Sequence, residues 1–309
     1  MEHHDRIYVA GGDTLIGAAL LRQLHRQGYT SVIDPSNEPD LTDAASVDAF
    51  FARARPECVF VAAGKSGGIE ANRTYPATLL LDNLLVESHL IDSAYRHVVK
   101  KLLYLASACC YPKHAPQPMR IESLLTGPLE PTNEAYAVAK IAGMKLCQAY
   151  RQQHDANFIV GIPANAFGPG DDFSLENSHV VAALMRKMHE ASGRHMPSVE
   201  IWGSGTPRRE FIYADDLADA CVFVMNHYDA AEPINLGSGV DVSIAELAMQ
   251  IKAVVGYSGD LRFDPSKPDG MPLKALDSSV LLSLGWKPAT PFRAALAMTY
   301  EAFVREGQM

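Results

Sequence analysis

The chain has 309 residues, 48% of them hydrophobic and 20% charged, which is ordinary for a globular enzyme with room for two lobes around a cleft. Its formal net charge of −9 argues against a nucleic-acid partner, and no apolar run approaches the ~20 residues of a membrane span. The opening MEHHDRIYVAGG leads directly into a predicted strand, so no signal peptide and a cytoplasmic location are expected. In chain order, RIYVA (6–10) reads as a first strand and residues 15–26 as a helix. TSVID (30–34) reads as a second strand, 45–54 as a helix and CVFVAA (58–63) as a third strand. A long helix runs from Pro76 to about His97, followed by a fourth strand, KLLYLAS (101–107). A further helix from Asn133 to about His154 precedes a fifth strand, FIVGIPA (158–164).

This alternation predicts an α/β fold: a doubly wound parallel sheet of the Rossmann type, with ligands outside the carboxyl ends of its strands. After Asn165 the pattern loosens into a smaller mixed α/β lobe. The expected division is 1–165 for a dinucleotide and 166–309 mainly for substrate, with a segment near 210–225 returning to the first domain.

Five cysteines, Cys58, Cys109, Cys110, Cys147 and Cys221, form no C-x-x-C pair, so neither a metal site nor a redox motif is expected. A reducing compartment fits them. AGGDTLIG follows the first strand and opens the first helix, where Gly11, Gly12 and Gly17 suit a pyrophosphate against backbone N–H groups. Thr14 stands where a G-x-x-G-x-x-G spacing would put glycine, and a β-branched residue resists positive φ. Asp34, at the end of the second strand, leans the choice of dinucleotide toward NAD; Ser36 and Asn37 could bond either form. VAAG (61–64) would line the cofactor.

Tyr136 and Lys140 share a helix face in EAYAVAKIAG. An ammonium beside a phenol favours phenolate and is expected to lower the Tyr136 pKa from ~10. Ser107, ending the fourth strand, completes a set that can bond a carbonyl oxygen and protonate it as hydride arrives at carbon.

The glycine turn, Ser107 and YAVAK together resemble the extended short-chain dehydrogenase/reductase family. GGIEANRTYP (67–76), SACCYPK (107–113), EPTNEAYAVAKIAGMKLC (130–147), NSHV (177–180), WGSGTPRREFIYADD (202–216) and KPDGMPLK (267–274) narrow the resemblance. They are similar to the branch of 3,5-epimerase-4-reductases acting on GDP-4-keto-6-deoxymannose. The resemblance implies epimerisation at C3 and C5 and NADPH-dependent reduction at C4, giving GDP-L-fucose, in a homodimer built on the two long helices. The implied catalytic residues are Ser107, Tyr136, Lys140, Cys109 and His179, with Cys109 and His179 as the acid/base pair. A thiol and an imidazole suit proton transfer beside a ketone near neutral pH. Cys110 matches no catalytic position and is expected to pack.

For the cofactor the resemblance implies Gly11, Gly12, Asp13, Thr14, Leu15, Ile16 and Gly17 at the turn, with Ser36, Asn37 and Leu41 beyond it. Ala62, Ala63, Leu105, Ala106 and Lys140 follow at the strand ends. Pro163, Asn165, Ala166 and His179 complete the surface. Substrate contacts are implied at Asn165, Lys187, Trp202, Arg209 and Asp269, with no metal. Asp13 and Ser36 stand where some members carry arginines; NADPH is expected and NADH is the alternative. Other readings are a synthase of the colitose type, working on a 3,6-dideoxy-4-keto sugar, and a non-catalytic dinucleotide sensor.

Overall fold

The computed structural model describes residues 1–174, 178–267 and 269–307. Asn177 of the NSHV string and Pro268 of KPDG lie outside the described residues. The first lobe begins with β1 (Ile7–Ala10), whose four residues are all buried, and α1 (Leu15–Arg26), whose apolar face carries Ala19, Leu20 and Leu24. Then come α2 (Ala44–Ala54), β2 (Cys58–Val61), a short α3 (Ile69–Thr74), α4 (Pro76–Arg96) and β3 (Lys101–Leu105). α5 (Glu134–His154) and β4 (Phe158–Pro163) follow. β1, β2, β3 and β4 are parallel neighbours in that order. Their residues are buried throughout, as a sheet covered by helices on both faces requires.

The expected second strand at 30–34 does not form as one. That stretch makes a single parallel bridge, Ile7 to Val32, with Ser31 O accepting from Ile7 N and Ile33 N donating to Ile7 O. β1 begins only at Ile7, before which the stretch meets the chain through Thr30 N donating to His3 O at 3.0 Å, and Asp34 then caps a 3-10 turn at Pro35–Asn37. The edge therefore has no length over which to extend a ladder. The strands expected at 58–63 and 101–107 end earlier, freeing Ala62–Gly64 and Ala106–Ser107 to turn outward at the carboxyl edge.

The second half comprises β5 (Asn165–Phe167), α6 (Val180–Gly193), β6 (Ser198–Trp202), β7 (Arg208–Tyr213), α7 (Ala214–His227), β8 (Ile234–Leu236), β9 (Asp241–Ser243), α8 (Ile244–Val255), β10 (Asp260–Asp264), β11 (Leu273–Lys274), α9 (Ser279–Ser283) and α10 (Phe292–Glu306). β8 extends the first sheet beyond β4, and Cys221, Val222 and Val224 of α7 belong to the first lobe's core. α7 is tied to α1 through Arg22 and Arg26 on Asp215 and through Gln23 on Asp219. A second core gathers Phe167, Val181, Met185, Met188, Phe211, Leu247 and Leu296. β7 is the hub of this lobe: β5 and β11 pair with it in parallel, and β9 antiparallel. Its buried Glu210 stitches the chain here, accepting from Gly239 N at 2.8 Å and Leu276 N at 2.7 Å. Among the described residues no helix is long and apolar enough to cross a membrane.

Candidate active site

The turn after β1 is built on glycines because nothing larger fits. Gly11 has φ +78°, and a Cβ there would stand 2.6 Å from the Cα of Ala63. A Cβ on Gly17 would meet the Gly11 carbonyl oxygen at 1.9 Å, and one on Gly12 the ring of Pro35 at 2.8 Å. Thr14 does not strain the turn. It is the N-cap of α1 at φ −76°, its hydroxyl donating to Gly11 O at 2.8 Å and accepting from Gly17 N at 3.1 Å. Asp13, Leu15 and Ile16 sit around this cap, so the start of α1 presents the donor end of a helix to the cleft. Glu38, which the sequence did not single out, reaches back under the turn and accepts from Gly11 N and from the Tyr8 hydroxyl, both at 2.8 Å. Burial raises its pKa. Asp34 is occupied in accepting from Ser36 N at 2.9 Å, which leaves Ser36 and Asn37 as the turn's exposed polar face. Leu41 lies beyond, its carbonyl 3.1 Å from Nδ1 of His89.

At the end of β2, Ala62 and Ala63 lie beside the glycine turn. Asn83 of α4 is fully buried; its Nδ2 donates to the carbonyls of Lys65 and Leu79, while its Oδ1 has no partner among the described residues. A Cβ on Gly64 would lie 2.4 Å from that oxygen and 3.5 Å from the Lys140 Nζ. An orphaned acceptor and an ammonium thus flank a bare backbone patch, which fits hydroxyl groups of a ribose. With the glycine cradle above it, this wall suits a dinucleotide.

Ser107 follows β3 and starts a short 3-10 turn that carries Cys109 and Cys110 to opposite sides. The Ser107 Oγ accepts from Cys109 N at 3.2 Å, and the Tyr136 phenol is its hydrogen-bonding neighbour. Cys110 is fully buried, and burial pushes its thiol up to about 12, as expected of a packing residue. Cys109 is half-buried and faces the cleft. Its Sγ accepts from Asn133 Nδ2 at 3.1 Å and from Lys274 Nζ at 3.5 Å.

One expectation about Tyr136 is reversed. Burial, the largest influence, raises its pKa, with Cys109 adding in the same direction and the Ser107 hydrogen bond opposing. Lys140 does not offset this, because its Nζ is directed at the Leu105 carbonyl (3.3 Å) and at the ring of Tyr104 (5.0 Å to the centroid). The phenol therefore holds its proton at neutral pH. Burial lowers the pKa of Lys140.

Leu105 and Ala106 are buried at the carboxyl end of β3, and Pro163 closes β4. Asn165 and Ala166 begin β5, where Asn165 Nδ2 donates to the Glu210 carbonyl at 2.8 Å and so ties β5 to β7. His179, at the N-cap position of α6, keeps exposed surface although protein atoms surround its imidazole, and its side chain makes no capping bond. Desolvation by the cleft walls and then the charge of Lys274 hold its pKa below the ordinary 6.5. Cys109 and His179 therefore share one cationic neighbour. Lys274 and Asn133 both lie inside strings noted in the sequence, yet no spacing links either to Cys109.

A second group sits further out. Trp202 ends β6 with its ring 62% exposed, under the ammonium groups of Lys187 (5.7 Å) and Lys267 (5.4 Å). Arg209 donates to the carbonyls of Arg208 at 2.8 Å, Met271 at 2.5 Å and Asp269 at 3.3 Å. The Asp269 carboxylate accepts from Ser204 N at 2.7 Å and Ser204 Oγ at 2.8 Å. Lys187, Trp202, Arg209 and Asp269 are thus gathered along one rim, and the strand that follows Asp269 delivers Lys274 to the centre. Among the described residues no group of three or more His, Cys, Asp and Glu is placed to hold a metal ion.

Residues 7–237 match the model of the NAD dependent epimerase/dehydratase family. GDP-L-fucose synthase 1 of Arabidopsis thaliana is 51% identical over 301 residues, covering 97% of this chain and 93% of that one. The GDP-L-fucose synthase of Sinorhizobium fredii is 50% identical over 299 residues, 97% of this chain and 95% of its own. Among solved structures, a GDP-L-fucose synthetase from Naegleria fowleri bound to NADP superposes with a TM-score of 0.92 at 29% identity, covering 100% and 97% of the two chains.

Proposed function

The chain belongs to the NAD dependent epimerase/dehydratase family, and from that premise we propose that it converts GDP-4-keto-6-deoxymannose to GDP-L-fucose with NADPH. The observation that carries this reading is the pairing, around one ketone-binding group, of a reductase set (Ser107, Tyr136, Lys140) with a proton-transfer set (Cys109 and His179 on a common Lys274). A reductase alone has no need of the second set.

Hydrogens at C3 and C5 of the sugar are acidic because they flank the C4 carbonyl. Ser107 and Tyr136 hydrogen-bond the C4 oxygen and stabilise the enolate formed when either proton leaves. Cys109 and His179 work as the pair that removes a proton from carbon on one face and returns it on the other. NADPH, when bound, supplies the hydride to C4. Tyr136 supplies the proton to the C4 oxygen; its raised pKa keeps that proton in place until the oxygen becomes basic. Lys140 and Asn83 hold the nicotinamide ribose, the glycine turn holds the pyrophosphate, and Ser36 and Asn37 meet the adenosine end. Arg209 and Lys187 meet the substrate diphosphate, Trp202 stacks on the nucleotide, and Asp269 fixes its ribose or base.

Residues 1–165 act as the dinucleotide domain and 166–309 mainly as the sugar-nucleotide lobe, with the segment near 210–225 serving the first. Two separate hydrophobic cores support a division into two lobes, with Ile234, Leu236, Leu276, Leu281 and Trp286 joining the first core as well as the 210–225 segment. The working form is a homodimer in which α4 and α5 pair with their copies. Exposed Leu81 and Tyr95 on α4 and Val138 on α5 support that surface. A cytoplasmic location is supported by five cysteines that are all free.

The test is a coupled assay: the purified protein, NADPH and GDP-4-keto-6-deoxymannose, with the product sugar identified by NMR. Oxidation of NADPH with appearance of GDP-L-fucose is expected. Turnover restricted to a 3-deoxy substrate, or none with any keto sugar, overturns the reading. Running NADH in parallel sets the cofactor preference, and sedimentation velocity checks the dimer.

A further inference from the structure

Glu87 is buried in the middle of α4, where a carboxyl group is costly unless its oxygens are satisfied and its charge is answered. Both oxygens are satisfied. Oε2 accepts from the Tyr104 hydroxyl at 2.5 Å, and Oε1 accepts from the backbone N–H of Gly143 at 3.1 Å. The space is made by Gly143 itself. A Cβ there would stand 2.6 Å from the Tyr104 ring and hydroxyl and 2.8 Å from the Glu87 carboxyl carbon. Tyr104 is in turn fully buried, and its ring faces the ammonium of Lys140 at 5.0 Å. A line of contact therefore runs from the carboxylate of α4, through a phenol on β3, to the lysine on α5.

We propose that Glu87 is a positioning residue: the buried counter-charge that, through Tyr104, holds the Lys140 ammonium against the Leu105 carbonyl. A buried ammonium with one carbonyl acceptor is under-compensated. The π face of Tyr104 adds a second electron-rich contact, and a carboxylate accepting a hydrogen bond from the phenol makes that face more attractive to a cation.

The charges bear this out in direction. Burial lowers the pKa of Lys140, and Glu87 is the first influence pushing it back up. Burial raises Glu87 to about 7, while Lys140, the Tyr104 hydroxyl and the Gly143 N–H oppose the rise. The other titratable groups around it are Tyr136 and Cys147 on α5 and Cys110 after β3; burial raises the pKa of each, so all three stay neutral.

The role rests on Lys140 being the lysine that serves the cofactor, so the first measurement uses neither cofactor nor substrate. Infrared difference titration of the glutamate-labelled protein, with Glu87→Gln as the blank, reads the Glu87 carboxyl band directly. In the wild type it titrates near pH 7. In Lys140→Met it moves up by about one pH unit or more, because the favourable cation is gone. In Tyr104→Phe it moves up by less. Should Glu87→Gln not fold, the difference between Lys140→Met and wild type carries the test. An unmoved band overturns the proposal.

The second measurement is the pH profile of NADPH oxidation. Glu87→Gln lowers kcat about tenfold, leaves the sugar KM within about twofold and shifts the alkaline limb to lower pH. A wild-type profile and kcat in that variant overturn the proposal. A wild type inactive on every keto sugar sinks the proposed reaction instead, and leaves the infrared coupling to decide this one.

Discussion

Lys274 carries its ammonium to 3.5 Å from the Sγ of Cys109, a residue 165 positions earlier in the chain. It is delivered by a two-residue strand, β11, which pairs with β7 opposite Arg209. The residue that touches the thiol proposed for proton transfer is therefore in register with the residue proposed to grip the diphosphate.

Removing that ammonium has a defined sign. In Lys274→Met, His179 loses a nearby positive charge, so its pKa rises toward 6.5. Imidazole NMR of the unliganded protein reads this. Exchange of C3 and C5 hydrogens with deuterated solvent slows by about tenfold or more. A His179 titration that does not move shows that the Lys274 charge does not reach His179.

Reduction and epimerisation are separable. Tyr136→Phe removes the proposed proton donor to oxygen and lowers NADPH oxidation by about 10²–10⁴-fold, yet leaves measurable deuterium exchange. Cys109→Ala does the reverse, impairing exchange most. Exchange at the wild-type rate in Cys109→Ala would remove Cys109 from the mechanism.

The glycine turn can be probed by stability as well as by binding. Thr14→Val deletes the hydroxyl that caps α1 and costs about 1 kcal/mol in urea unfolding. Gly17→Ala drives a methyl to 1.9 Å from the Gly11 carbonyl oxygen, where backbone rather than a flexible side chain must move. It costs about 2 kcal/mol or more and abolishes NADPH binding by fluorescence titration.

Trp202 is 62% exposed, so its removal leaves folding intact. Trp202→Ala raises KM for the sugar nucleotide about tenfold, with kcat within a few-fold, as expected if the indole stacks on the nucleotide away from the reacting carbon, as proposed. A fall in kcat at unchanged KM would place Trp202 elsewhere in the cycle.

Much of the site was legible because its determinants are close in sequence. The glycines of the first turn and the Tyr136 and Lys140 face follow from offsets of a few residues, whereas the split between Cys109 and Cys110 came only from the family resemblance. The same local reasoning went wrong where a neighbour far along the chain intervened. Thr14 looked like a misfit against a positive φ, but it takes the capping role and leaves positive φ to Gly11. TSVID has β-branched residues enough for a strand, but it pairs only at Ile7 and, through Thr30 N, at the His3 carbonyl before β1 begins. Lys140 was expected to acidify Tyr136, but the Leu105 carbonyl and the Tyr104 ring hold its ammonium instead.

Residue spacing alone, then, sets the turn, the helix face and the order of elements, because backbone geometry turns short intervals into directions. What those side chains meet is set by packing. Asn133 and Lys274 on the Cys109 sulfur, Glu38 under Gly11 and Glu87 behind Lys140 each join elements that the chain brings together only once the sheet and the second lobe have formed. No interval in the sequence encodes those contacts; burial decides them, by removing water as the alternative partner for each charged or polar group.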